Sequence, residues 1–262
     1  MVPSGTRRVA DLRRIARLTW WTLREPAQWR VAFLLFLVIL FAATSSVSFA
    51  GDVRGEVEIP LDFTATRVVG VAYPFIFPIV SVLVTLAIVA QREGGMFATL
   101  QALGFRRGEI LIAQSLAIFV LALIPSLVAF LLLPPFVEPR LLLSGNLLAL
   151  YPARYWTSMP RLFLAVLFTV LFASAFSMIF RRASIAFGVM ITFFFFGWYL
   201  QIPLGAQYAI LTPPGSFMAA YRFYGPLPGI GLDPNYVFLL YLLVALIAFI
   251  AALTFASRRG ES

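Results

Sequence analysis

The hydrophobic pattern of this chain consists of six long apolar stretches separated by polar or Pro-rich segments. The stretches cover residues 31–50, 68–90, 110–133, 162–180, 183–202 and 236–255. Each is about as long as the helix of roughly 20 residues that crosses the hydrocarbon core of a bilayer. None contains Asp, Glu or Arg, and one such charge at mid-bilayer costs roughly 2.5–3.5 kcal/mol. The pattern therefore predicts six transmembrane helices.

The composition supports an all-α, polytopic membrane protein. Of the 262 residues, 61% are hydrophobic and 12% are charged, and the mean hydropathy is +0.95. Soluble domains have roughly 45–50% apolar and about 25% charged residues. The segments between the apolar stretches are shorter than the roughly 50 residues that an independent domain needs. We therefore expect any ATPase or receptor domain that works with this chain to lie on another chain.

The arginines indicate how the chain is oriented. The net charge is +9, and all 20 basic residues are Arg. With the N-terminus in the cytoplasm, the cytoplasmic side carries Arg7, Arg8, Arg13, Arg14, Arg17, Arg24, Arg30, Arg92, Arg106, Arg107, Arg181, Arg182, Arg258 and Arg259. The outer side carries only Arg54, Arg67, Arg140, Arg154, Arg161 and Arg222. Because short cytoplasmic loops are enriched in basic residues, both termini are predicted to be cytoplasmic. The charge is thereby explained without a nucleic-acid partner.

The missing residue types exclude several kinds of chemistry. The chain contains no Cys and no His, which excludes disulfides, thiol redox chemistry, Cys/His zinc sites and imidazole proton relays. The six Met residues show no ligand spacing. Four acids, Asp52, Glu56, Glu58 and Asp62, cluster in the first outer loop as a solvated surface or a contact for a cation or partner. We predict no catalytic residue, metal site or bound cofactor on this chain.

Residues 1–29 are predicted to form an amphipathic helix on the membrane surface. At helical spacing, one arc collects Val9, Leu12, Ile15, Ala16, Thr19, Trp20 and Leu23. Arg13, Arg14, Arg17 and Arg24 fall outside that arc. Such a helix lies in the headgroup plane, and Pro26 ends it. The segment is too long and too basic ahead of the first apolar stretch for a cleaved signal peptide. The alternative is a disordered basic tail.

Two outer segments contain short apolar runs. In the segment 134–160, the run 141–151 is too short to cross a bilayer and is flanked by Pro139 and Pro152. We predict an interfacial or re-entrant helix there. The segment 203–235 is rich in Pro and Gly around the apolar run 216–224. It is interpreted as a partly re-entrant pair of short helices or a lid, with a plain interfacial loop as the alternative.

The cytoplasmic loop 91–109 carries the strongest functional pattern. Met96, Leu100 and Leu103 are spaced to share one face of a short helix. Gly94 and Gly95 precede this helix. Gly104 follows at a position that commonly ends one. An apolar face on a short helix outside the bilayer is typical of an element that docks into a partner's groove. The alternative is a helix packed along the membrane surface.

Three short motifs in this loop carry a resemblance to a known family. They are EGG at 93–95, LQALG at 100–104 and RRGEIL at 106–111. Together with the N-terminal amphipathic segment, the six predicted crossings and the Pro-rich segment before the sixth, they make the chain resemble membrane subunits of type-2 ATP-binding-cassette (ABC) permeases. The EGG motif and the run TPP at 212–214 are most similar to membrane subunits of exporters that serve nitrous-oxide-reductase maturation.

The resemblance implies a function and a set of residues. Residues 30–262 are expected to form a six-helix permease domain in the inner membrane of a prokaryote. A second copy or a paralogue would complete the path, with an external accessory protein as a further partner. Two cytoplasmic ATPase subunits would bind ATP and Mg²⁺, since a P-loop needs the Lys that this chain lacks. The expected ATPase-coupling residues are Glu93, Gly94, Gly95, Met96, Phe97, Leu100, Leu103, Gly104, Arg106 and Arg107.

Two other functional classes stay open from the residues alone. An ion- or proton-coupled secondary transporter usually carries acids or His inside its helices, and the six stretches contain neither. A membrane-embedded enzyme needs a convergent acid, base or nucleophile, for which the outer acids are the only obvious candidates. The absence of charge within the stretches favours a hydrophobic or amphipathic cargo over an ion or a sugar acid.

Overall fold

The structure is a computed structural model that describes residues 4–54, 79–137, 142–146, 150–151, 153–156, 158–180, 182–199 and 233–258. All regular secondary structure within these ranges is helical. The main helices are α1 (Ser4–Leu23), α2 (Pro26–Arg54), α3 (Ile79–Glu93), α4 (Met96–Ala102), α5 (Arg107–Val137), α6 (Ser158–Ser177), α7 (Ala183–Tyr199) and α8 (Pro234–Arg258). The all-α fold class is therefore confirmed over the described residues.

Length and hydropathy identify the chain as a multi-pass membrane protein. Among the described residues, three helical segments are long and apolar enough to span a bilayer: Arg107–Leu132, Met159–Ser177 and Asn235–Ala256. A fourth is added if α3 and α4 count as one bent span. The first and fifth predicted stretches fall in α2 and α7, and residues 68–78 and 200–202 lie outside the described ranges.

Helix α5 is the centre of the structure, and it packs against α1, α2, α4, α6 and α8. Its buried side includes Ile110, Leu111, Ile118 and Ala122. Other apolar residues of α5, such as Leu116, are exposed on the outside of the bundle. A helix that is apolar all round is typical of a bilayer-spanning segment, in which lipid or a second subunit covers the outer face.

Two consecutive prolines near the end of α5 explain how the residues around Tyr151 and Tyr155 are attached to this helix. Pro134 and Pro135 have no backbone N–H, so they leave the carbonyls four residues earlier without their helical partner. Those carbonyls belong to Phe130 and Leu131, and two tyrosine hydroxyls donate to them. Tyr155 donates to the Phe130 carbonyl, and Tyr151 donates to the Leu131 carbonyl at 2.8 Å. The outer segment is thereby attached to α5.

The Tyr155 contact is the more protected of the two. The Tyr155 side chain is buried, and its ring stacks on Phe130 with centroids 4.3 Å apart. Burial, and secondarily the neighbouring Tyr151, raises the pKa of the Tyr155 phenol above its ordinary value. The hydroxyl therefore stays protonated and available as a donor at physiological pH.

We expect Tyr155→Phe to destabilise the protein by about 1–3 kcal/mol, because the buried Phe130 carbonyl would lose its donor. Tyr151→Phe is the matched control, since Tyr151 is only half-buried and water can replace its hydroxyl. The measurement is the thermal unfolding of both variants in the same detergent. Equal losses of stability in the two variants would contradict this account of the prolines.

The N-terminal segment forms the predicted helix, and its circumference has three sectors. Leu18 and Thr19 are buried against the rest of the chain, while Leu12 and Trp20 form an adjoining exposed apolar sector. The third sector is basic and exposed, and it consists of Arg13, Arg14, Arg17 and Arg24. The helix ends at Leu23, and α2 begins at Pro26. The position of α1 in the headgroup plane stays a prediction. The exposed apolar sector next to the basic sector is what such a position requires.

The predicted short helix at 141–151 is interrupted. Gly145 has a φ of 71°, in the left-handed region, and Ser144 and Gly145 form a turn. Glycine adopts this conformation without steric cost, and it breaks a helix that the apolar run alone would favour. Residues 147–149 and the Pro-rich segment 200–232 lie outside the described ranges.

Candidate functional site

The loop between α3 and α5 folds as a short helix with defined ends, as the sequence predicts. Helix α4 is bent by 70° from α3 at Gly94 and Gly95. Gly95 has a φ of 79°, and Gly104 has a φ of 85°. At the C-terminus, the N–H of Gly104 bonds to the Gln101 carbonyl at 2.8 Å, and the N–H of Phe105 bonds to the Leu100 carbonyl at 3.1 Å. This pair of bonds is a Schellman motif, so both ends of α4 are fixed by glycine.

The apolar residues of α4 divide between an inner and an outer face. Phe97 and Leu100 are 5% and 8% exposed and belong to the core of the bundle. Met96 and Leu103 are 49% and 62% exposed on the outside. The spacing predicts that Met96, Leu100 and Leu103 share one face. In the structure Leu100 is buried and anchors the helix, whereas of these three residues only Met96 and Leu103 are exposed.

The start of α4 is tied to the turn between α6 and α7. Arg92 donates from Nη1 to the carbonyl of Met178 at 3.4 Å. The backbone N–H of Ala183, the first residue of α7, donates to Glu93 Oε2 at 3.2 Å. A carboxylate at this position also suits the positive end of the α7 helix dipole. Glu93, one of the predicted coupling residues, therefore connects the loop to α7.

The end of α4 is braced by α1. The guanidinium of Arg14 donates to the Gly104 carbonyl at 3.4 Å and lies over the Phe105 ring at 5.7 Å. Further along α1, the Thr19 hydroxyl donates to the Ala113 carbonyl of α5 at 3.3 Å. The N-terminal helix therefore contacts both the end of α4 and the helix that follows it.

The two arginines after α4 have different surroundings. Arg106 is exposed, and its backbone N–H donates to Glu109 Oε2 at 2.9 Å. This bond caps the start of α5, and Glu109 itself is buried. Arg107 is half-buried and lines a cavity of about 340 Å³ with Arg92, Phe97 and other residues of α4, α8 and the turn after α6. Of the two arginines, only Arg106 is exposed.

A second cavity, of about 200 Å³, lies on the opposite side of α4. It is lined by Leu18, Trp21, Thr22, Glu25, Gln91, Met96, Leu100, Ile110, Ala113 and Gln114. A chain of polar side chains runs along it. Gln28 Nε2 and Gln91 Nε2 both donate to Glu25 Oε2, at 2.8 and 3.3 Å, and Gln114 Nε2 donates to Gln91 Oε1. Helices α2, α3 and α5 therefore meet at this network, together with the turn between α1 and α2.

No pattern in the sequence predicts this network or the contact of Arg14 with Gly104. One signal was available, because Gln114 is a polar residue inside a stretch that is predicted to cross the bilayer. Its partners were not recognisable, since Gln91 is 23 positions away and Glu25 lies 66 positions before Gln91. Neither separation in sequence is one that places two residues next to each other on a single helix.

Comparisons with known proteins give no family assignment. No model of a known protein family matches the sequence, and no curated protein matches it. Among the residues that the structure describes, no group of three or more His, Cys, Asp or Glu side chains is placed to hold a metal ion. The functional argument therefore depends on the geometry around α4.

Proposed function

We propose that this chain is the membrane permease subunit of an ABC exporter and that α4 is the helix through which separate ATPase subunits drive it. The observation that carries the proposal is the division of α4 into an anchored inner face and an exposed apolar outer face. A helix that merely covered the bundle would not need Met96 and Leu103 on its outer side. Two apolar side chains beside the exposed Arg106 form a surface suited to a partner's groove.

The contacts of α4 are suited to transmitting movement. Phe97 and Leu100 connect it to the core around α5, Glu93 connects it to α7, and Gly104 connects it to α1 through Arg14. A partner that displaced α4 would therefore move several helices together. Rigid-body motion of packed helices is a common way in which a local displacement becomes a change of the whole transmembrane domain.

The proposed permease has six crossings and two membrane subunits. Helices α2, α3 and α7 supply the three crossings beyond α5, α6 and α8. Only 11% of the most apolar part of α8 is buried within the chain, against 50% for α5 and for α6. The open side of α8 is a surface for lipid or for the second membrane subunit, and both fit a path built from two copies or from this chain and a paralogue.

The interior of the described bundle favours an uncharged or amphipathic cargo. Its buried hydroxyls bond to each other or to backbone, as Ser115 does to Ser174 at 2.9 Å between α5 and α6. Glu109 is buried, but it caps the start of α5 and does not lie mid-span. An ion-coupled secondary transporter is the second candidate, and it would need a titratable group within the bundle.

The proposal is tested by purifying the tagged chain in mild detergent from its native membrane. We expect a soluble ATPase with a Lys-containing P-loop to co-purify stoichiometrically, together with a second membrane subunit, and the complex to hydrolyse ATP. A complex stripped of the ATPase by high salt is the matched control and should lose hydrolysis. Transport by the chain alone in vesicles, driven by an ion gradient and unaffected by ATP, would contradict the proposal.

A further inference from the structure

The hydrogen-bond directions around Glu25 are determined by its charge. An ionised carboxylate only accepts hydrogen bonds, whereas a Gln amide has one donating and one accepting end. Glu25 therefore requires the Nε2 of Gln91, which leaves the Gln91 oxygen for the Nε2 of Gln114. Gln28 likewise presents its Nε2 to Glu25. Every amide oxygen in the network consequently points away from the carboxylate.

This arrangement leaves two amide oxygens without a donor, while each of the three amide nitrogens makes one hydrogen bond. Gln114 is 3% exposed and Gln28 is 1% exposed, and neither Oε1 has a hydrogen-bond partner among the described residues. A buried acceptor without a donor costs about 1–3 kcal/mol. Gln114 lines the cavity of about 200 Å³, and so does Glu25. The cavity therefore presents an unpartnered acceptor, the Gln114 oxygen, and the Glu25 carboxylate at its polar end.

The rest of the cavity is apolar. Leu18 and Trp21 contribute from α1, Met96 and Leu100 from α4, and Ile110 from α5. No Arg is among its lining residues, so a phosphate or carboxylate would meet acceptors and no balancing charge. The volume is far more than the 10–15 Å³ that one water needs.

We infer that this cavity binds a primary ammonium group carried on an apolar tail. Such a group has three N–H donors and a positive charge, which match the Gln114 oxygen and the Glu25 carboxylate. The methylene groups next to the nitrogen fit the side lined by Leu18 and Met96. The exposed apolar sector of α1 beside the cavity favours an aminophospholipid of the surrounding bilayer as the source, with its ammonium inside the cavity and its phosphate outside. A free alkylamine is the other source. The inference does not depend on the proposed function.

The experiment compares lipids that differ only in the number of N–H donors. The full-length wild-type chain is mixed with phosphatidylethanolamine and with its mono-, di- and trimethylated forms, all with the same acyl chains, and native mass spectrometry measures the lipid retained. We expect retention to fall along the series, with about tenfold between the first and last members, equivalent to about 1.4 kcal/mol. Equal retention of all four, together with no preference for dodecylamine over its trimethylated form, would overturn the inference and assign the acceptors to water.

Three variants test whether the preference for phosphatidylethanolamine arises at this cavity. Gln114→Leu removes the free acceptor and Glu25→Gln removes the charge, and each should abolish the preference for phosphatidylethanolamine. Gln101→Leu, the same change on α4 but outside this cavity, should keep it. Unaltered preference in both cavity variants would overturn the inference. If either variant unfolds, the wild-type comparisons of the lipid series and of the alkylamines still decide the outcome.

A further arm distinguishes the two sources. Dodecylamine has the same ammonium group without the phosphate or glycerol, and dodecyltrimethylammonium is its control without N–H donors. Selective binding of phosphatidylethanolamine identifies the lipid as the source. Selective binding of dodecylamine with no discrimination among the lipids supports the ammonium chemistry and identifies a free amine instead. Failure of both comparisons would overturn the inference.

Discussion

Leu103→Asp is expected to abolish ATPase coupling while leaving the protein inserted and folded. Leu103 is 62% exposed, so a charge there is hydrated in the isolated chain and costs little stability. In the proposed complex the same charge would either be buried in the partner's groove or keep α4 out of it, and an unpaired buried charge costs several kcal/mol. We expect co-purification of the ATPase to fall at least tenfold, with unchanged thermal stability.

The control for this prediction is Leu143→Asp, at an exposed leucine in the predicted outer segment. It introduces the same charge at a similar cost but on the predicted outer side, away from the proposed ATPase. Leu103→Ala should give an intermediate loss, because it removes apolar area without adding charge. Normal co-purification and ATP-dependent transport by Leu103→Asp would contradict the proposal and favour the alternative that α4 is a helix packed along the membrane surface.

Leu100→Asp, three residues earlier, is expected to fail in a different way. Leu100 is 8% exposed and packs into the core with Phe97. An unpaired carboxylate there should destabilise the chain by about 3–5 kcal/mol. We expect a lower unfolding temperature and faster amide exchange throughout α4, in the purified chain without any ATPase. Coupling should also be lost, as a consequence of the detached helix.

The comparison of the two variants is the informative measurement. Leu103→Asp should lose partner binding without losing stability, whereas Leu100→Asp should lose both. Phe97→Ala serves as a second inner-face variant and should destabilise by about 3–5 kcal/mol through the cavity it leaves. If Leu100→Asp were as stable as the wild type, the conclusion that Leu100 anchors α4 in the core would be wrong.

The sequence by itself determined the features that have a local physical cause. The six apolar stretches predict helices wherever the structure describes them, because uninterrupted apolar runs of this length have no other stable arrangement in a bilayer. The ends of α4 were also predictable, since Gly95 and Gly104 occupy positions with positive φ that other residues adopt only at a cost. The same holds for the amphipathic pattern of α1.

Only the tertiary structure decided which face of each helix is buried. The apolar residues of α4 surround much of its circumference, so periodicity cannot choose between Leu100 and Leu103 for the core. Contact with α5 makes that choice. The ammonium cavity depends on Glu25, Gln91 and Gln114, which come from three separate parts of the chain. Hydrogen bonds between distant residues depend on how helices pack, and no local pattern in the sequence records that packing.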